Sequence, residues 1–135
     1  MPQLAFTNAQ DTYRKQGILT ANPVELIVML YDGLKKNIVL ARRLIERSDA
    51  AKAHKHLMKA QDIITELMNS LDMSFEISED LLSIYEFMLR ILEEANLNKD
   101  ASQLEAIVEI VTSLRDTWQE VSEGQRGNLA ALAEG

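Results

Sequence analysis

Between Pro23 and Val121, apolar side chains recur at steps of three and four residues in four separate blocks, parted by short polar stretches. That rhythm puts apolar residues on one face of an α-helix, whereas a strand needs alternation by two. The first block runs from about Pro23 to Arg47 on Leu26, Ile27, Leu30, Tyr31, Leu34, Ile38, Ala41 and Ile45. Asn22 as cap, Pro23 at the first helical position and Glu25 in the first turn mark its start. Asp49 is the expected cap of a second helix with a heptad-like seam of Ala53, Leu57, Ala60, Ile64, Leu67 and Leu71. Ser78 is the expected cap of a third, on Leu81, Ile84, Tyr85, Met88, Leu92 and Ala95, which ends where Asn96 and Asn98 tolerate left-handed geometry. Asp100 and Gln103 open the fourth, on Leu104, Ile107, Val108, Val111, Leu114, Trp118 and Val121, stopping near Gly124.

Long helices joined by short breaks lie antiparallel beside one another, so the expected fold is all-α, an up-down four-helix bundle. Residues 1–21 stand apart as an N-terminal arm or short cap helix, residues 22–124 form the bundle, and residues 125–135 form a flexible C-terminal tail. At 135 residues the chain is long enough for one domain with a core that needs no metal or disulfide, and it has no cysteine. No apolar stretch is long enough to span a bilayer, and the first residues lack the basic and apolar regions of a secretion signal. The expectation is a cytoplasmic protein without membrane insertion.

The residues that carry chemistry are sparse. His54 and His56, the only histidines, are two apart on a helix and point about 200° away from each other, so they do not chelate one metal. Neither has a Glu three residues before it, as a di-metal bundle requires. Phosphate-cradling glycine loops and nucleophile elbows are absent from the sequence. The chain is expected to be no enzyme, with no metal and no cofactor.

Charge is unevenly divided. Residues 1–60 hold ten basic and five acidic side chains (+5), and residues 61–135 hold four basic and sixteen acidic (−12). The net charge of −7 argues against a general nucleic-acid binder. Lys35, Lys36, Arg42, Arg43, Arg47, Lys52, Lys55 and Lys59 nevertheless gather on helices one and two. Their ordinary reading is a solvated face that also complements the acidic helices three and four. The alternative is an adaptor or regulator that binds another protein or RNA there, without the interleaved aromatics that base stacking needs.

What exceeds a plain bundle is surplus apolar surface. Val24, Val28 and Met29 fall off the main seam of helix one, and Leu82 and Leu89 widen that of helix three. Either the arm folds back over these residues or a partner's amphipathic helix occupies the groove and displaces it. Met58, Met68, Met73 and Met88 suit a surface that repacks, and serve equally well as core filler.

Tyr13, then "ILTANPVELIVMLYDGLKKNIVLARRLIE", "HLMKAQDIITELMNSLD", "LLSIYEFMLRILEEANLNKD" and "VTSLRDTWQ" resemble, in order and spacing, the FliS family of flagellar secretion chaperones. The match covers about residues 13 to 120. The resemblance implies an antiparallel bundle that holds the disordered C-terminal segment of flagellin over its outer surface, with the arm capping part of that site when no client is present. It also implies dealings with flagellar export-gate components and leaves open an anti-sigma factor or a flagellin translational regulator. By position, the family's arm motif falls on Tyr13, Ile18, Thr20, Ala21 and Pro23, and the start of its first helix on Glu25, Leu26, Met29, Leu30 and Tyr31. The expected partner-binding set, met by flagellin or by the arm, is Tyr13, Ile18, Leu19, Thr20, Ala21, Val24, Leu26, Val28, Met29, Leu82 and Leu89.

Overall fold

A computed structural model describes residues 23–134, with side chains described as far as Gly124. Four helices make up the chain there: α1 (Pro23–Glu46), α2 (Ala50–Asn69), α3 (Ile77–Asn98) and α4 (Leu104–Glu134). Each packs against the next and α4 returns to α1, so they form a ring in which α1 and α3 are not neighbours. The Arg115–Asp32 pair and the Arg42–Glu105 pair show that α1 and α4 run in opposite directions, because ten residues forward on one match ten back on the other.

The core is the seam set by the three-and-four rhythm. Ile27, Tyr31, Leu34, Ile38, Leu57, Ile64, Leu67, Tyr85, Met88, Leu92, Leu104 and Val111 are all fully buried and belong to one cluster. Burying each large aliphatic side chain contributes about 1.5–3 kcal/mol, which makes this seam the main source of stability. Small residues let the helices approach: Ala41, Ala53 and Ala60 are also fully buried.

The ends of the helices follow the local chemistry. Asp49 caps α2 as expected, its carboxylate accepting from the Lys52 N–H. Ser48 before it takes φ 59°, and its N–H donates to the Ile45 carbonyl. At the other end of α2, Ser70 donates its hydroxyl to the Glu66 carbonyl.

Three helix ends depart from the sequence expectation. Ser78 does not cap α3, which starts at Ile77; its hydroxyl is buried and donates to the Asp72 carbonyl instead. The preceding turn supplies the reason, since Asp72 accepts from both the backbone and the hydroxyl of Ser74 and so starts the turn six residues early. Hydrogen bonding to Ser74 also holds the Asp72 carboxyl below its usual range. The left-handed residue that ends α3 is Lys99 (φ 48°), not an asparagine. Its ammonium folds back onto the carbonyl and side-chain oxygens of Asn96, which offsets the left-handed cost. Finally, α4 continues past Gly124 to Glu134. Gly124 and Gly127 each cost the helix only about 1 kcal/mol relative to alanine, and the Gln, Arg, Leu and Ala residues around them are good helix formers.

Candidate functional site

The ring of helices is not closed evenly. The α3–α4 seam is the most sparsely packed of its four, and its apolar lining is periodic on both sides. Ile77, Ile84 and Ile91 repeat every seven residues on α3, and Ile107, Leu114 and Val121 do so on α4. The two helices are antiparallel around the connection at 99–103, so counting by sevens sets Ile91 level with Ile107, Ile84 with Leu114 and Ile77 with Val121. Exposure rises along that ladder. Ile91 and Ile107 are 7% and 1% exposed, Ile84 and Leu114 are half-buried, and Ile77 and Val121 are 55% and 39% exposed. The seam is therefore sealed beside its connection and uncovered at the far end.

Phe87 extends the uncovered lining. It stands three residues after Ile84 and four before Ile91, is exposed, and carries the Arg90 guanidinium over its ring at 5.5 Å from the centroid. Met29 and Met73 lie at the same end of the bundle as Ile77 and Val121, and both are exposed. At that end Ser122 buries a hydroxyl that has no hydrogen-bond partner among the described residues.

Under this open end the structure is tightly bonded. The Tyr31 and Tyr85 hydroxyls share a hydrogen bond, and Trp118 also hydrogen-bonds to Tyr31. Burial pushes the Tyr31 phenol up to about 12, and it raises Tyr85 as well, with the facing Tyr31 adding to the effect. Both phenols stay protonated in neutral solution and act as structural links. Among the described residues no group of three or more His, Asp or Glu side chains is placed to hold a metal ion, and no helix is long and apolar enough to cross a membrane. The arrangement offers a line of exposed apolar side chains along the open end of the α3–α4 seam, suited to the apolar face of an amphipathic helix.

Six of the residues expected to bind a partner, Val24, Leu26, Val28, Met29, Leu82 and Leu89, fall within the described structure. Tyr13, Ile18, Leu19, Thr20 and Ala21 lie outside the described residues, as does the Asn22 cap. Val24, Leu26 and Val28 are not open surface: all three are buried, although they stand outside the main core cluster. Val24 and Val28 precede Asp32 at four-residue steps, so they line the side of α1 that Asp32 turns toward Arg115 of α4. Only Met29, on another side of α1, remains exposed at 48%. Leu82 and Leu89 are half-buried, and Leu89 packs on the core. Ile77, Phe87 and Val121 escaped the sequence reading as a lining, although the sevenfold repeats on α3 and α4 carry the signal.

The basic cluster complements the acidic helices less than expected. Arg42 pairs with Glu105 of α4, whereas Lys52 pairs with Asp49 at the cap of its own helix. The Arg115–Asp32 pair has the opposite polarity, with the base on α4. The two histidines hold α2 to different neighbours: His54 hydrogen-bonds with Asn96 of α3, and His56 with Asn37 of α1.

Comparison with known proteins follows the same outline. The family model described as flagellar protein FliS matches residues 6–125. The flagellar secretion chaperone FliS of Bacillus subtilis (strain 168) is 36% identical over 123 residues, covering 91% of this chain and 92% of the relative. That of Salmonella typhimurium is 32% identical over 111 residues, covering 80% and 82%. Among solved structures, a bacterial flagellar chaperone superposes with a TM-score of 0.72 at 19% identity, over 84% of this chain and 94% of that one, which is a likeness of fold.

Proposed function

The chain belongs to the FliS family of flagellar secretion chaperones, and from that premise we propose that it is a cytoplasmic export chaperone for the disordered C-terminal segment of flagellin. The observation that carries this reading is the α3–α4 seam, whose apolar ladder is uncovered at one end. A disordered client that folds onto this seam as an amphipathic helix buries the surface through which it would otherwise self-associate. Binding by mass action then holds the client unpolymerised until the type III export machinery takes it over. The client loses conformational freedom as it binds, so affinity concentrates in a few buried anchors. The arm before α1 competes for the same surface.

The test is a calorimetric titration of the full chain with the C-terminal segment of its own organism's flagellin, at low and high salt. One-to-one binding that tolerates salt and carries a negative heat-capacity change supports apolar burial. The paired variant Ile77→Asp/Val121→Asp, at two exposed positions, should keep its helical circular dichroism and bind at least about tenfold more weakly. Wild-type failure to bind would refute the client assignment, and unchanged affinity in the variant would refute the seam.

A further inference from the structure

Across the ring from the α3–α4 seam lies the α1–α2 seam, and its chemistry is the opposite. Lys36 and Arg43 stand seven residues apart on α1, and Lys55 and Lys59 stand four apart on α2, all four exposed. Between the two rows His56 Nδ1 lies 2.9 Å from Asn37 Oδ1, a hydrogen bond across the seam that fixes their register. Burial and then the positive charges of Lys59, Lys55 and Lys36 hold His56 below the usual histidine value, so lysines from both helices act on one point. Among the described residues none of these four cations forms an ion pair. Like charges held side by side on two packed helices repel, at a cost to the bundle that an anionic partner would remove.

We propose that this basic seam docks a short acidic segment of a partner protein while the α3–α4 seam holds its own occupant, so that the two bind on opposite sides of one bundle. Charge complementarity selects the occupant. The stretch from Lys36 to Arg43 is about 10 Å long at 1.5 Å per residue, which matches a few carboxylates on a peptide. A nucleic acid suits it less well. The only exposed aromatic among the described residues is Phe87, on α3, and a longer polyanion leaves the patch to meet a chain of net charge −7.

The test titrates an oligoglutamate peptide into the full chain at low salt, with backbone amide shifts followed by NMR. Shifts should gather around Lys36, Asn37, His56 and Lys59, and affinity should fall steeply with added salt. The triple variant Lys36→Glu/Lys55→Glu/Lys59→Glu should bind the peptide at least about tenfold more weakly, and the corresponding glutamine triple should weaken it less. The glutamine triple carries the test if charge reversal disturbs folding. Both variants should bind the flagellin segment as the wild type does. The proposal is overturned by no binding at low salt, by shifts elsewhere, by equal binding in the charge-reversed and glutamine variants, by a parallel loss of flagellin affinity, or by a short RNA that outcompetes the peptide.

Discussion

The hydroxyl oxygens of Tyr31 and Tyr85 lie 2.5 Å apart, although α1 and α3, which carry them, face each other across the ring and share no seam. Trp118 of α4 bonds to the same Tyr31 hydroxyl, so three helices meet at one buried polar point. Interdigitated apolar side chains hold each seam by shape, and a buried hydrogen bond adds a directional constraint that is satisfied in only one register. The two phenols therefore set how α3 sits relative to α1.

Removing either hydroxyl breaks the bond between them. Tyr31→Phe and Tyr85→Phe should each lower stability by about 1–3 kcal/mol in urea denaturation, and the double variant should cost less than the two together. Strictly additive losses would mean that the hydroxyls act independently.

The same pair makes the bundle sensitive to alkali. An unfolded chain releases tyrosine protons near pH 10.0, while native Tyr31 keeps its proton up to about 12. The native state then binds more protons than the unfolded one, so stability is intact below pH 10.0 and declines from there to about 12. Denaturation midpoints measured across that window should fall for the wild type and fall less for the double phenylalanine variant. Equal slopes would show that other groups control the decline.

Neighbouring residues of α1 should respond in opposite ways to one charge. Met29→Asp places a carboxylate at a position already 48% exposed, so the thermal midpoint should move little while binding of the flagellin segment weakens. Val28→Asp buries the same group at a site 5% exposed and should unfold the bundle or lower its stability by several kcal/mol. Matching stability losses in the two variants would contradict the orientation of α1, and an unchanged affinity in Met29→Asp would remove that residue from the binding surface.

The helices and their common core were legible because the three-and-four rhythm of Ile27, Tyr31, Leu34 and Ile38 continues through all four blocks. The Asp49 cap was equally plain, since its interaction is with the helix that it begins. Local signals misled where distant structure set the outcome. Val24 and Val28 stand off the main seam on a wheel of α1 alone, and the folded chain buries both outside the main core cluster. Ser78 has the chemistry of a cap, but the turn at Asp72 claims its hydroxyl first. The lining of the α3–α4 seam was overlooked for a related reason: its residues are spaced like core, and only the spacing between helices decides whether such a stripe is covered. As for the site itself, Met29 alone of the expected α1 residues stands open, while the arm residues from Tyr13 to Ala21 lie beyond the described structure.

Trp118 is the only tryptophan in the chain, and it is half-buried on α4 between Leu114 and Val121 while bonded to Tyr31. The molecule thus carries its own optical gauge. Excitation of the two buried tyrosines passes to one indole packed against the core, and that indole's emission depends on how much water reaches its half-buried ring. A helix that seats there should shift the emission toward the blue without any attached dye, so occupancy can be followed in real time on the unlabelled protein.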